Sequence, residues 1–536
     1  MTAIRPRRTF AVFVALAAVV VGACGGSSSS TLPPPADPGG LSAGKPSSGA
    51  YTPGASLVAD TAFRPATHGL PFENYGKVLP DGSAPINLTA DDVRAMFGDK
   101  VCADAAAGKC DLTPEAKTWL DSTNREMAGG HCYGFSIAAE LLWQGKLNAA
   151  AFGANAIPAL DISHNQPLQR RIAYYWATQL LDSVRSKGVF GTPNEVLQAL
   201  RRSLTPNPTE TYTVILFKRD GTGGHAVTPY AVEDAGGGKF NVLIYDNNWP
   251  SVTRAISFNT QTDGWRYDAA TNPKANSEVY EGDEKTQSIG LLPTSPGLGP
   301  QPCPFCGKRS SSPAGTTGVA SSSGTEEIFL DGSDTDHADL LITDDAGHRL
   351  GFVEGKLVNE IPGAKVEQVL EDQDWREDVE PHFLVPAGAQ YKVVVDSTKL
   401  RRPDAETVGI IGSDFDMTLK SVTMHQGDKD TLLVGADGMS ASYTTSRAKQ
   451  WAIEGGASDN GVDYDIALSG VTDQRHPAVQ VGLPVGSGTL TVEHPGGSGT
   501  STVNLTVTRE TDQGVASSTR TATTNDAEPA TVALSG

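Results

Sequence analysis

The sequence lacks the excess of basic residues that a nucleic-acid-binding surface requires. Its 536 residues include 42 Lys and Arg against 62 Asp and Glu, which gives a formal net charge of −20. Because phosphate binding depends on clustered positive charge, we expect no nucleic-acid partner. No repeat of about 20–50 residues is visible either. A chain of this length is expected to fold into about two to four domains, each with its own core.

No apolar run near the N-terminus is long enough to span a bilayer. The run over residues 10–21 follows Arg5, Arg7 and Arg8, a pattern typical of an export signal. It ends at Val21-Gly22-Ala23-Cys24, which resembles a bacterial lipobox, where the cysteine receives a lipid. The resemblance implies a signal peptide over 1–23 and a mature chain anchored through Cys24 to the extracytoplasmic face of the cell membrane. Residues 24–54, rich in Gly, Ser and Pro, would be a flexible tether. The alternative is an ordinary secretory signal with an incidental cysteine.

Cysteine is scarce, with six residues in the whole chain. Export places them in a compartment that permits disulfides, and Cys102 and Cys110 are close enough in sequence to form one. Cys303 and Cys306 form a CxxC for which the sequence offers no second CxxC or closely spaced His pair to complete a zinc site. We therefore predict a second disulfide there, and no metal or other cofactor. Cys132 is left unpaired, and a free thiol in an exported protein calls for a chemical explanation.

Cys132 lies between a pair of glycines and a helical pattern. The segment from Gly129 to Leu142 reads GGHCYGFSIAAELL. Apolar side chains recur after the cysteine at the spacing of one helical face: Phe135, Ala138, Ala139 and Leu142. Cys132 is therefore predicted at a helix N-terminus, where unpaired N–H groups and the helix dipole stabilise a thiolate. The alternative is a buried structural cysteine at the start of a core helix.

The elements before Tyr212 are predicted to be helical and those after it to be strands. Helix starts are predicted at Thr89 and at Thr113-Pro114, and two further helices over 168–186 and 194–204. From Tyr212 onward, β-rich runs alternate with Gly/Asp turns, which indicates an antiparallel meander and an α+β layout. Residues 296–325 form a linker that carries the CxxC. Residues 326–536 are predicted to be an all-β, sandwich-type region of one or two modules.

A hairpin in the meander brings a candidate base to a candidate orienting group. His225 opens a strand after Gly223-Gly224, and the turn is predicted near residue 236. Antiparallel pairing about that turn sets His225 opposite Asp246 or Asn247. A carboxylate or amide in that position accepts the ring N–H, fixes the tautomer and stabilises the imidazolium. Together with Cys132, these residues form the pattern of an activated thiol nucleophile.

Three motifs in this order resemble the papain superfamily of cysteine peptidases. Cys132-Tyr133-Gly134-Phe135-Ser136 is similar to that family's Cys–aromatic–small–Phe–Ser/Ala signature, and residues 224–227 (GHAV) to its Gly-His-Ala-Val. Residues 242–249 (VLIYDNNW) resemble the strand that carries its third catalytic residue. The resemblance covers residues 115–260. It implies a papain-like α+β catalytic domain, which we expect to span 55–295, and a triad of Cys132, His225 and Asp246, with Asn247 as the alternative third member.

The sequence departs from papain at two positions of that resemblance. Papain has Asn where this chain has Asp246. Glu126 stands where papain carries its oxyanion glutamine, and an ionised carboxylate is a poor donor. Asn124, or Ser122, is predicted to replace it, together with the backbone N–H of Cys132. The resemblance also implies that Trp249 shields the histidine pair from solvent, the alternative being a core aromatic at a strand end.

The remaining histidines receive no catalytic role. His131 is adjacent to Cys132, and neighbouring side chains at a helix start diverge, so it is predicted to be a loop or helix-start residue. The histidines of the C-terminal half are predicted to lie on the surface among β turns: His337, His348, His382 and His425.

The expected function is a membrane-anchored extracytoplasmic cysteine peptidase. Its substrate would be a protein or peptide, cleaved through a thioester intermediate. The acidic C-terminal region is expected to bind substrate, a partner or a cell-wall or surface ligand. Two alternatives stay open, namely a transglutaminase-like or cell-wall amidase enzyme, and a catalytically silent surface adhesin.

Overall fold

The computed structural model describes residues 51–533 except 55, 105–108, 220–222, 269–278, 308–323, 334–335, 371–379, 437, 439, 460–461, 473–477, 483–488, 495–499, 512–513 and 526–529. The predicted signal peptide, Cys24, most of the tether and most of the linker lie outside the described residues. Among the described helices, none combines the length and the apolar character needed to cross a membrane.

The described α-helices all lie before the long strands. They are α1 (Pro65–His68), α2 (Ala90–Phe97), α3 (Pro114–Glu126), α4 (Cys132–Trp143), α5 (Gln166–Ala177), α6 (Asp182–Arg185) and α7 (Pro193–Ser203). The predicted starts are confirmed: Thr89 closes a capping box with Asp92, and Pro114 is the first residue of α3. The single helix predicted over 168–186 is wrong. It is divided after Ala177 by a 3₁₀ turn, because Leu181 has an extended backbone.

Helix α4 is buried on every side rather than along one face. All its residues from Cys132 to Leu142 are buried, so the predicted apolar stripe understates its burial. The glycine at position 134 allows α5 to pack directly against it, since a Cβ there would lie 2.1 Å from the carbonyl oxygen of Ile172. The helix is therefore held rigidly at the centre of the N-terminal core.

The first large sheet is antiparallel and follows the helices. Its strands are β1 (Ser56–Asp60), β4 (Val189–Phe190), β5 (Tyr212–Leu216), β6 (His225–Gly236), β7 (Lys239–Tyr245), β8 (Thr253–Asn259), β9 (Gly264–Asp268), β10 (Val279–Asp283) and β11 (Ile289–Pro293). Their order is β10-β9-β8-β7-β6-β5-β11-β4, and β1 also pairs with β6. The short strands β2 (Cys102–Asp104) and β3 (Asp111–Leu112) pair with each other. Both predicted disulfides are confirmed, namely Cys102–Cys110 and Cys303–Cys306.

The C-terminal part consists of two further antiparallel sheets. Their strands are β12 (Thr325–Asp331), β13 (Asp339–Asp344), β14 (Arg349–Val353), β15 (Lys356–Asn359), β16 (Lys365–Glu367), β17 (His382–Pro386), β18 (Tyr391–Asp396), β19 (Asp404–Gly412), β20 (Phe415–Met424), β21 (Lys429–Val434), β22 (Ser440–Thr444), β23 (Lys449–Asp459), β24 (Val462–Thr472), β25 (Ala478–Gly482), β26 (Thr489–Glu493), β27 (Thr500–Thr511), β28 (Gly514–Asn525) and β29 (Ala530–Ala533). One sheet has the order β16-β17-β12-β19-β20-β23-β24-β27-β28, the other β15-β14-β13-β18-β21-β22-β25-β26-β29. Apolar residues of both sheets share a single core.

Helix α3 connects the two parts. It packs on β19, β20, β23 and β24 of the C-terminal part. The hydroxyl of Thr118 donates to Oδ2 of Asp416 over 2.8 Å, and Arg125 pairs with Asp331. The chain therefore has a helical N-terminal region followed by a larger antiparallel β-rich region, and a packed interface joins them.

Candidate active site

Cys132 and His225 stand at the starts of their elements, as predicted. Cys132 is the first residue of α4, and His225 is the first residue of β6, where it pairs with Leu216 of β5. Both side chains are fully buried, and Cys132 is the free cysteine of the described residues. An N–H at the first position of a helix has no intrahelical acceptor, so the helix start presents donors beside the sulfur.

His225 is hydrogen-bonded to Asp246, the first of the two partners considered. The distance from Nε2 of His225 to Oδ1 of Asp246 is 2.9 Å, and both side chains are buried. Asp246 directly follows β7, whose last pair with β6 joins Tyr245 to Thr228. The two side chains therefore meet beyond the paired part of the hairpin. The pairing between β6 and β7 has two register shifts, at residues 229–231 and 234–236.

The second ring nitrogen of His225, Nδ1, is left over by the bond to Asp246. Among the described residues, Nδ1 has no hydrogen-bond partner of ordinary geometry. Cys132 nevertheless interacts with the ring, and this interaction raises the pKa of His225. The structure thus brings together three of the predicted residues, and both the carboxylate and the thiol act on the imidazole.

Burial and charge oppose each other in this pair. Burial alone lowers the pKa of His225, but the carboxylate of Asp246 and then Cys132 raise it well above its usual value. Burial likewise raises the pKa of Asp246, and the charge and hydrogen bond of His225 outweigh it, so the net direction is downward. The pair therefore favours an imidazolium beside a carboxylate, which is the state that stabilises a neighbouring thiolate.

Tyr267 completes the carboxylate's hydrogen bonding, and the sequence reasoning missed it. Its hydroxyl, on β9, donates to Oδ2 of Asp246, while the backbone N–H of Asn248 donates to Oδ1 over 2.9 Å. Arg254 lies over the rings of both Tyr267 and Trp249, 5.8 and 4.5 Å from their centroids. Nothing in the local sequence around Tyr267 marks it, because the contact depends on how β9 packs.

Asn247 has a different role from the one considered for it. Its amide nitrogen donates to the carbonyl oxygens of Cys132 and Ala226, over 3.1 and 2.8 Å. The side chain therefore links the first turn of α4 to the first residues of β6. It positions the elements that carry the thiol and the imidazole, and Asp246 is the partner of the ring.

The predicted oxyanion donor is engaged elsewhere. The side chain of Asn124 binds both backbone groups of Leu88, accepting from its N–H over 2.9 Å and donating to its carbonyl over 3.0 Å. These bonds give the Asn124 prediction no support. Ser122 is buried. Glu126 points to the C-terminal part, where Oε1 lies 2.8 Å from Nε2 of His382.

His382 is not on the surface, so that prediction is wrong. It is 5% exposed and stands between Glu126 and Glu327, stacked on Phe329. Burial lowers the pKa of His382, but the two carboxylates raise it well above its usual value. The prediction failed because both partners are distant in sequence, and a turn-rich context gave no sign of them.

His131 and Trp249 are partly as expected. His131 precedes α4 but is fully buried, with Nδ1 2.7 Å from the carbonyl of Tyr75 and Nε2 2.9 Å from Oδ1 of Asn87. Burial lowers its pKa to about 4, which describes a neutral structural ring. Trp249 is half-buried, with the guanidinium of Arg254 on its face. No three His, Cys, Asp or Glu side chains of the described segments gather as a metal site.

Comparison with known proteins returned no relative. No protein-family model matches the chain. Neither a curated protein nor a solved structure matches it significantly. The resemblance to the papain superfamily therefore depends on the three motifs alone. The geometry of Cys132, His225 and Asp246 has no counterpart in a matched protein with which it could be compared.

Proposed function

We propose that this chain is a cysteine peptidase with a papain-like catalytic domain. The observation that carries the proposal is the buried hydrogen bond between His225 and Asp246 at the start of the Cys132 helix. A thiol, an imidazole and a carboxylate in this order form the minimal set for nucleophilic acyl transfer. A structural cysteine in a helix cap has no need of a buried ion pair next to it.

In the proposed reaction the thiolate of Cys132 attacks the carbonyl carbon of a peptide bond. The carbonyl electron pair moves to oxygen, where the backbone N–H of Cys132 stabilises it. The C–N bond then breaks, and the imidazolium of His225 gives its proton to the leaving nitrogen. Water attacks the resulting thioester, His225 accepts the proton of that water, and the C–S bond breaks to return the thiolate. Asp246 holds the ring throughout.

The test is labelling of the full chain with a thiol-directed epoxide, with the adduct located by mass spectrometry. We expect an adduct on Cys132 that is lost in His225→Ala and kept in His164→Ala, whose side chain is 85% exposed. Hydrolysis of an unfolded protein should follow the same pattern, with new N-termini appearing. Labelling of Cys132 that is indifferent to His225→Ala would contradict the proposal.

A transglutaminase-like enzyme is the second candidate, since such enzymes use the same Cys-His-Asp order. The observation that favours it is that the ring's partner is the carboxylate of Asp246 and not the amide of Asn247. The two differ in the acceptor that resolves the thioester. Incorporation of a primary amine into a glutamine-containing protein, in excess of hydrolysis, would favour acyl transfer to amines.

The proposed location is the extracytoplasmic face of the membrane, with the lipid on Cys24. In the natural host, a Cys24→Ser chain should move from the membrane fraction to the released fraction. A chain that stays in the membrane fraction after this substitution would argue against the lipid anchor.

A further inference from the structure

A segment of the C-terminal part is bound by two side chains of the N-terminal part. This docked segment comprises residues 367–370 and continues from β16. Oε1 of Gln179 accepts from the backbone N–H of Leu370 over 2.6 Å, and Nε2 of Gln179 donates to the carbonyl of Leu370 over 3.2 Å. Nε1 of Trp176 donates to the same carbonyl over 2.8 Å. Both backbone groups of one residue are thus bound by side chains, as in recognition of an extended peptide.

The docked segment passes beside the elements that carry the thiol and the imidazole. Gly224 directly precedes His225, and a Cβ on it would lie 2.6 Å from the carbonyl oxygen of Val369. Trp176 is on α5, whose backbone contacts α4 at Gly134, two residues after Cys132. The segment therefore adjoins both walls of the site.

The docked segment is held by charge and by apolar burial as well as by backbone bonds. Nε of Arg185 lies 3.1 Å from Oε2 of Glu367, and the same guanidinium donates to the carbonyl of Gln368. Val369 and Leu370 are 5% and 1% exposed and belong to the N-terminal core. With these side chains in place, Cys132 and His225 are fully buried, so a peptide carbonyl reaches the sulfur only in those molecules from which the segment has departed.

We infer that Trp176 and Gln179 form a subsite that binds the backbone of an extended peptide with an apolar side chain, and that the docked segment fills this subsite and closes the route to Cys132. The inference rests on the proposed function for its substrate. The ligand class follows from the occupant: an N–H and a C=O of one residue, next to buried aliphatic side chains. A substrate peptide would take the place of Leu370, and the segment acts as an internal competitor.

The closure is tested by alkylation of Cys132 in the full chain with iodoacetamide, a small neutral reagent. We expect Leu370→Ala to raise the alkylation rate at least about tenfold, because the truncated side chain holds the segment more weakly. Glu367→Gln, which leaves the core intact and removes one charge from the Arg185 pair, should give a smaller rise of about threefold. The matched control is Leu340→Ala, an equally buried leucine on β13. An equal rise in the control, or no rise in either segment variant, would overturn the closure.

The subsite is tested by comparing iodoacetamide with a peptidyl chloromethyl ketone that carries apolar side chains. Gln179→Ala should raise the iodoacetamide rate, because the segment loses two bonds. The Gln179→Ala variant should react with the peptidyl reagent about ten times more slowly than Leu370→Ala does. The reason is that the backbone of the reagent can no longer bond to the side chain of Gln179. Equal peptidyl rates in the two variants would overturn the subsite.

These alkylations do not depend on peptide hydrolysis. Alkylation that responds to the variants as expected, while the opened Leu370→Ala chain hydrolyses no protein, would support the closure and the subsite and would refute the peptidase. If the chain hydrolyses protein but the segment variants leave the alkylation rate unchanged, the peptidase would be supported and the closure and the subsite would be refuted.

Discussion

The hydroxyl of Tyr267 donates a hydrogen bond to Oδ2 of Asp246, the carboxylate oxygen opposite the one that His225 occupies. This bond lowers the pKa of Asp246, although burial and His225 act on it more strongly. The buried carboxylate therefore depends on donors from two strands to stay ionised. Tyr267 is a positioning residue, since it acts through Asp246 rather than on a substrate.

Replacing Tyr267 by Phe should move the acidic limb of the pH–rate profile to higher pH. The carboxyl loses one donor, so its pKa rises and it becomes protonated sooner as the pH falls. We expect kcat to fall about threefold to tenfold at neutral pH, with KM little changed, as for the loss of one buried hydrogen bond of about 1–2 kcal/mol. The control is Tyr230→Phe, whose hydroxyl lies 2.9 Å from Oγ1 of Thr253. An unshifted acidic limb in Tyr267→Phe would leave Tyr267 with a packing role.

Replacing Asp246 by Asn should move the alkaline limb in the opposite direction. After burial, which lowers it, the charge of Asp246 is the largest influence on the pKa of His225, and it raises this pKa. Without that charge the imidazolium loses its proton at lower pH. Because the imidazolium gives its proton to the leaving nitrogen, the alkaline limb of the pH–rate profile for peptide hydrolysis should move to lower pH by about one unit or more.

This prediction is measured as the rate of hydrolysis of a peptide between pH 5 and 10. The turnover of a peptide should also fall, by a factor of about 10²–10⁴, because the amide fixes the ring less well. An alkaline limb that stays in place in Asp246→Asn would show that another group sets the ionisation of His225.

At neutral pH, Asn247→Asp should lower the free energy of unfolding more than Asn247→Ala does. Its amide donates to two carbonyl oxygens, and an ionised carboxylate in that place would repel both of them. A protonated carboxyl can donate to one of them, and burial favours this neutral form, so the difference between the two variants should shrink as the pH falls from 7 to 4. We expect Asn247→Asp to cost about 2–3 kcal/mol in the free energy of unfolding at pH 7, and to weaken alkylation of Cys132.

The measurement is unfolding at pH 7 and pH 4. The control is Asn359→Asp on β15, where the amide donates to the carbonyl of Ala364 in an exposed turn. A cost of similar size at both sites would indicate that the clamp between α4 and β6 contributes little.

The positions in the fold that agree with the sequence prediction are those that depend on local spacing. The position of Cys132 follows from a helix start, and the positions of His225 and Asp246 follow from one hairpin. The apolar periodicity and the turn residues were therefore sufficient to predict where these three residues lie. Tyr267 and Gln179 were missed because their partners lie on elements packed from elsewhere. For the same reason the sequence did not show that the backbone of Leu88 binds the side-chain amide of Asn124.

The sequence predicted the β structure of the C-terminal part but not its contacts with the N-terminal part. Alternating strands between Gly/Asp turns indicated β structure, and two sheets with a shared core are present. No sequence pattern showed that His382 would be buried against Glu126, or that Leu370 would be bound by Gln179. Contacts between distant segments depend on how complete elements pack, and a single sequence does not encode them as a local signal.

The interface between α3 and the C-terminal sheet carries two buried acids that should make it sensitive to pH. Burial raises the pKa of Asp416 to about 8 and that of Glu115 to about 7. One oxygen of each carboxyl, Oδ1 of Asp416 and Oε2 of Glu115, is buried without a hydrogen-bond partner among the described residues. Both acids are therefore accommodated best as neutral carboxyls.

The interface should accordingly lose stability as the pH rises. Both groups bind a proton more tightly in the folded chain than in the unfolded chain, where the usual values near 4 apply. Their contribution is complete below about pH 4 and is lost progressively as the pH rises through 7 and 8. Asp416→Asn removes the charge and keeps a group that can bind Thr118, so it should stabilise the chain by about 2 kcal/mol at pH 8 and have much less effect at pH 5. Thermal unfolding at the two pH values measures this, with Asp121→Asn on the exposed side of α3 as the control. A gain that is equal at both pH values would mean that ionisation of Asp416 is not its cause.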